Sequence, residues 1–213
     1  MRSILISLFV LLLFAVSLMA QETNLPYGNN PAAGKYYNIR GIKMYCEIYG
    51  EGKPLLLIHG NHGSIKSFAH NIPYFAMKYK VIAVDSRAQG NSQDVGDSLT
   101  FEMMADDEAA LLDALKIDSA YVIGWSDGGI NALLLAMRHP GKVIKLAATG
   151  ANLWPDASAF APGVWENEKK YYDAHKNQVW QTEKEKTIGS CSCWIGISPT
   201  SPCPTFILSV VHH

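Results

Sequence analysis

Gly124-Trp125-Ser126-Asp127-Gly128 sets a serine between glycines two residues to either side, after the apolar run Ala120 to Gly124 and before a helical stretch that ends at Pro140. The spacing fits a nucleophile elbow: a sharp strand-to-helix turn holds the hydroxyl outward, and glycines let strand and helix approach closely. The chemistry on offer is attack of an oxygen on a carbonyl. A plain tight turn would use the same residues, so the five-residue pattern gains weight only from the strand before it and the helix after it. A serine hydroxyl is also a poor nucleophile until a base takes its proton, and that base needs a carboxylate to fix its tautomer.

Two further segments could serve such a serine. Leu55 to Ser64, LLLIHGNHGS, brings His59-Gly60-Asn61 directly after another apolar run. There the backbone N–H of Asn61, with that of Asp127, is a candidate donor to an oxyanion, and each preorganised donor of this kind is worth about 3 kcal/mol of barrier. His59 reads as a structural histidine of that loop rather than as the base. Asp85 to Ser92, DSRAQGNS, closes the next strand with a turn of small and polar residues. Asp127 has two open readings: a carboxylate that pairs with an amino group on the substrate, or an acid at a helix N-terminus, where negative charge is favourable anyway. Trp125 is the other candidate for substrate contact. Together with Trp154, Trp165 and the Tyr171-Tyr172 pair it either lines an apolar pocket or packs in a core.

The elements that must position these residues follow from periodicity. Tyr36 to Ile39 and Ile42 to Tyr49, joined at Arg40-Gly41, predict a β-hairpin whose second strand turns Ile42, Met44, Cys46 and Ile48 to one face. PLLLIHG, VIAVDSRAQG, AYVIG and VIKLAATG are short continuous apolar runs, as expected of parallel strands buried on both faces. Between them FEMMADDEAALLDALKI reads as an amphipathic helix, with Met104, Ala109, Leu111, Leu112 and Leu115 on the apolar face and the acids opposite. The alternation predicts an α/β fold: a mostly parallel sheet with right-handed crossovers and helices on both faces. The expected organisation is a signal peptide at 1–20, a linker at 21–35, the core at 36–150, a helical cap or insertion at 151–187, helical from about Trp165, and an anomalous tail at 188–213.

HGN at 59–61, DSRAQGNS at 85–92 and GWSDGG at 124–129, in this order and spacing, resemble the α/β-hydrolase superfamily. GWSDGGINALLLAMRHP followed by KLAATGANLW is most similar to its biphenyl-hydrolase-like and valacyclovir-hydrolase branch. The resemblance covers residues 36 to 187 and implies hydrolysis of an ester, thioester, amide or carbon–carbon bond through an acyl-enzyme on Ser126. It also implies a triad acid and then a histidine downstream of the nucleophile. Neither the expected acid-bearing strand nor a Gly-His loop is found there. Asp156, after the VIKLAATG run, is the weak candidate for the acid, and Asp173 sits in the insertion. For the base, His139 precedes Pro140 at a helix end, His175 lies in the insertion, and His212 and His213 close the chain. A serine at the elbow disfavours an aspartate-nucleophile dehalogenase. A binding protein or truncated pseudo-enzyme on the same scaffold is the alternative.

The tail explains the missing partners. From Ile188 to His213 there is no Asp, Glu, Lys or Arg, and three of the four cysteines (Cys191, Cys193, Cys203) gather there, which suggests a frame change after Thr187 and a fold incomplete at its C-terminus. At the other end, Arg2, the apolar run Ile4 to Val16 and the small residues before Gln21 describe a secretory signal peptide, cut after Ala20 or Ser17. An uncleaved anchor is the runner-up, but the run falls short of the roughly 20 residues that span a bilayer. The product is expected to be secreted or periplasmic, with no stable membrane anchor after cleavage. Composition, 48% hydrophobic and 17% charged over 213 residues, suits one globular domain. A net charge of -1 gives no reason to expect nucleic acid as a partner, the histidines and cysteines lack metal-ligand spacing, and no cofactor is implied. The expected partner is a small-molecule substrate.

Overall fold

The computed structural model describes residues 25–94, 99–151, 163, 166, 167 and 170. The proposed leader, Asp156, Trp154, Trp165, Tyr171, Tyr172, Asp173, His175 and the tail with its cysteines and histidines lie outside the described residues. Six strands form one mixed sheet: β1 (Gly34–Ile39), β2 (Ile42–Tyr49), β3 (Lys53–Ile58), β4 (Tyr79–Val84), β5 (Ala120–Trp125) and β6 (Val143–Thr149). Their spatial order is β1-β2-β4-β3-β5-β6. β1 runs antiparallel to β2 and β2 to β4, while β4, β3, β5 and β6 are mutually parallel. The α/β sheet is therefore mostly parallel, as the alternation of runs predicts. β1 and β2 meet in a two-residue turn at Arg40 (φ 45) and Gly41 (φ 86), the left-handed pair that a tight hairpin needs.

Period-two alternation sorts the strand side chains into two cores. Ile42, Met44, Cys46, Leu56, Ile58, Ile82, Val84 and Val122 face one side, packed against α2 (Phe101–Ala114) and α3 (Asp127–Arg138) through Ala105, Leu111, Leu112, Ala132 and Leu135. Tyr45, Leu55, Leu57, Val81 and Ala83 face the other, under Phe68 of a short 3-10 turn (Ile65–Phe68) and Ile72 of α1 (Ile72–Ala76). The β2 face predicted from alternation is the one found. α2 departs from expectation: of its acids Glu102 and Asp113 are exposed, but Asp107 and Glu108 are buried. Asp107 is turned inward by two arginines. Arg87 binds it through Nε (2.6 Å) and Nη2 (2.8 Å), and Arg40 Nε lies 3.1 Å away.

The layer assignment fixes where a site can form. α1 follows β3 on one face, whereas α3 follows the adjacent strand β5 on the opposite face. Neighbouring parallel strands whose following helices diverge leave a crevice beyond their carboxyl ends, the usual ligand position in open α/β sheets. Residues 59–61 and Ser126 stand there.

At the sheet edges, residues 28–30, within the stretch read as a linker, are seated on β2, with the N–H groups of Gly28 and Asn30 each 2.8 Å from a Glu47 carboxylate oxygen. β6 pairs with β5 alone among the described residues, and its Ile144 is 40% exposed. Beyond β6, Glu166, Asn167 and Lys170 are helical.

Candidate active site

Ser126 occupies the turn between β5 and α3 with φ 55 and ψ -122. Serine is a common helix N-cap, but a capping serine has extended backbone and its oxygen accepts an N–H from the first turn. Ser126 does neither: it stands in the left-handed half of φ space and makes no side-chain cap bond. The conformation is held from outside, by its N–H donating to the Thr149 carbonyl at the end of β6 (2.8 Å), while its own carbonyl accepts from Gly129 N–H (2.7 Å). The flanking glycines are sterically required. A Cβ at Gly124 would overlap the Gly128 carbonyl, and one at Gly128 would overlap the Ile58 carbonyl at the end of β3. The half-buried serine thus sits at the first turn of α3, where the leading N–H groups have no intrahelical acceptor and the helix end carries partial positive charge.

The loop after β3 completes the crevice. A Cβ at Gly60 would come within 3.0 Å of Ser126 Cβ and 3.3 Å of Trp125 Cε3, so this loop lies directly against the elbow. Asn61 follows it at the rim, half-buried, its Oδ1 accepting the His62 N–H at 3.0 Å. Trp125, 50% exposed, lies beside the serine between Gly60 and Gly150. Asp127 is only 4% exposed, and its Oδ2 has no hydrogen-bond partner. Burial pushes this carboxyl up to about 6, so it holds its proton below that pH and carries charge above it.

His59 is buried with both ring nitrogens engaged. Nε2 accepts the Ser86 N–H (3.0 Å), which leaves Nδ1 protonated and donating to the Gly60 carbonyl (2.7 Å). Burial drives the ring down to about 4, so it stays neutral at pH 7 and braces the loop. His139 is bound by Asp106 at 2.8 Å at the far end of α3, a helix length of roughly 18 Å from the serine. The bracing by Asp85 and Ser86 escapes a reading of motifs. Asp85 Oδ1 takes the Ile65 N–H and Oδ2 the Asn91 N–H, both at 2.7 Å, and Gly90 has no room for a Cβ above this carboxylate. The visible signal was an acid at a strand end followed by a glycine-bearing turn.

A family described as the alpha/beta hydrolase fold matches residues 53–186, from β3 through the elbow and beyond. The chain belongs to this family. Similar curated proteins include the 2-hydroxymuconate semialdehyde hydrolase of Pseudomonas sp. strain CF600, 34% identical over 58% of this chain and 45% of that protein. They also include the serine hydrolase BPHL of Mus musculus, 27% identical over 80% of this chain and 67% of that protein. Among solved structures, that of Est816, an N-acyl homoserine lactone degrading enzyme, superposes with a TM-score of 0.56 at 29% identity, over 67% of this chain and 55% of that one. The chain spans about half the length of the first two curated relatives it matches, 45% and 47%. The Pseudomonas and Mus musculus relatives are both hydrolases by name.

Proposed function

We propose that this α/β-hydrolase chain carries the nucleophilic centre of a serine hydrolase that cleaves a small ester, thioester, amide or carbon–carbon bond through an acyl-enzyme on Ser126. One observation carries the reading: the backbone of Ser126, φ 55 and ψ -122, leaves the hydroxyl uncommitted to capping, in a crevice beyond the ends of β3 and β5. As the Ser126 oxygen attacks, charge builds on the substrate carbonyl oxygen, and the N–H groups of Asn61 and Asp127 are the donors assigned to it. Asp127 supports a substrate with an amino group, since an ammonium would supply the partner its buried oxygen lacks. Trp125 supplies an apolar face beside it. The reading needs no cofactor, metal or nucleic acid, and the apolar run Ile4 to Val16 after Arg2 supports export of the chain.

A second reading has its own support. Neither His59, held by two backbone groups, nor His139, at the far end of α3, is available as the base, and Asp156 lies outside the described residues. A non-catalytic small-molecule-binding protein or pseudo-enzyme on this scaffold would keep the crevice and lack turnover, although oxyanion donors alone retain some catalysis over water. Incubation with a fluorophosphonate separates the two. Labelling of the folded chain that vanishes in Ser126→Ala is the expected result; folded protein that takes no label sinks the acyl-enzyme reading and leaves the binding one.

A further inference from the structure

The loop that carries Asn61 is fastened at both ends by consecutive residues of the β4 end. His59, at its start, accepts the Ser86 N–H, and Ile65, at its far end, donates to Asp85 Oδ1 at 2.7 Å. The other Asp85 oxygen accepts the Asn91 N–H at 2.7 Å, so one carboxylate ties the end of the loop to the turn that follows β4. Asn91 does more than close that turn. Its side-chain Nδ2 donates to the Gly28 carbonyl, 63 residues away, and so clasps the N-terminal arm, residues 25–33. The arm also reaches the loop directly: a Cβ on Gly28, whose φ is 82, would stand 2.9 Å from Lys66 Cγ and 3.5 Å from Lys66 N. Gly28 therefore sits where three segments meet, with Glu47 holding its N–H at 2.8 Å, Asn91 its carbonyl, and Lys66 against its Cα.

A backbone N–H serves an oxyanion only where it is already aimed, since a misplacement of about 1 Å can cost about 100-fold in rate. Loop 59–65 has glycine at 60 and 63, backbone that bends readily unless its ends are held. We infer that Asn91 is a positioning residue for the oxyanion donor: it seats Gly28 against Lys66, and the seated arm steadies the far end of the loop, so that the Asn61 N–H stays aimed into the crevice. The inference rests on the acyl-enzyme reading and brings the arm into it. A turn residue that merely stabilised the fold would change the share of folded molecules and leave their chemistry alone.

The test follows a fluorophosphonate on the full chain: Ser126 Oγ bonds to phosphorus, fluoride leaves, the hydroxyl proton passes to solvent, and the phosphonyl oxygen stands where the carbonyl oxygen would. Asn91→Ala removes the clasp and keeps the N–H that Asp85 accepts. Glu47→Gln loosens the same arm from its β2 side, and carries the test if Asn91→Ala fails to fold. Each variant is expected to lower the labelling rate constant at saturating reagent about tenfold, with the half-saturating concentration within about twofold of the parent's. The double variant should lose no more than Asn91→Ala alone, because both substitutions cut one link. A rate constant within about twofold of the parent's among folded molecules, or losses that multiply in the double variant, overturns the assignment. Exchange of the Ile65 N–H with solvent deuterium, expected to quicken about tenfold in both variants, separates the two ways of failing. An unlabelled parent with quickened exchange removes the acyl-enzyme reading and keeps the link from arm to loop, whereas unchanged exchange overturns the link itself.

Discussion

Glu47 on β2 and Glu108 on α2 are both wholly buried, and they differ in every other respect. Each oxygen of Glu47 accepts one backbone N–H and one tyrosine O–H: Asn30 N–H (2.8 Å) and Tyr45 O–H (2.9 Å) on one, Gly28 N–H (2.8 Å) and Tyr49 O–H (2.8 Å) on the other. Both oxygens of Glu108 lack any hydrogen-bond partner, and burial followed by the charge of Asp107 drives its pKa well above the carboxylate range. One acid organises its surroundings, and the other is tolerated by them. Burial alone therefore says nothing about what a carboxyl contributes; its donors decide the sign.

The largest expected effect tests the organising case. Glu47→Leu leaves two tyrosine hydroxyls and two backbone N–H groups without their acceptor, and should destabilise the fold by about 4 kcal/mol, since each stranded group costs about 1–3 kcal/mol before water repays part. Urea unfolding measures this directly, and proteolysis should at the same time begin within residues 25–33, the arm that Glu47 holds. A loss below 1 kcal/mol would mean that the arm is fastened by its other contacts, such as Asn91 Nδ2 to the Gly28 carbonyl.

The opposite sign is expected of Glu108→Leu, which should stabilise by about 3 kcal/mol at pH 8, the scale of an unpaired polar group removed from a core. The pH dependence follows from the direction of the shift. A carboxyl raised in the folded state binds its proton more tightly there than in the unfolded chain, so the parent loses stability as pH rises above about 4.5. The gain from the leucine should therefore be smallest near pH 4 and grow upward. A gain independent of pH would assign the effect to packing alone.

The contrast also marks what could be read in the amino-acid string. The elbow was legible because its requirements are local: Gly124 and Gly128 flank Ser126 within five residues, and the sterics that demand them act at that range. The inward face of β2 was legible for the same reason, as Ile42, Met44, Cys46 and Ile48 obey a period of two. The acids of α2 were misjudged because charged residues usually face water, while the arginines that turn Asp107 inward stand 20 and 67 residues away. The Glu47 cluster was hidden likewise: Tyr45 and Tyr49 share its face of the strand, but two of its four donors are backbone groups, which carry no sequence signature. A triad acid and base pose the same difficulty at greater range, since only a completed fold brings them to the serine.

Asp127 is intermediate and gives the smallest of these effects on stability. Like Glu108 it is buried with an oxygen lacking a partner, but it adjoins Ser126 in the crevice rather than sitting inside the core. Its carboxyl is raised to about 6, so the parent should lose stability as pH climbs from about 4 to 6 and then level off. Asp127→Asn should remove that slope, a gain of about 2 kcal/mol at pH 8 at the scale of 1.36 kcal/mol for each pKa unit, reduced because a buried amide replaces the acid. If the acid is kept for a substrate ammonium, the stabilised variant should lose its preference for amino-acid esters over neutral esters of equal size by about tenfold, while Glu108→Leu leaves that preference intact. Stability gained with selectivity unchanged would make Asp127 a second Glu108, an acid the fold merely tolerates.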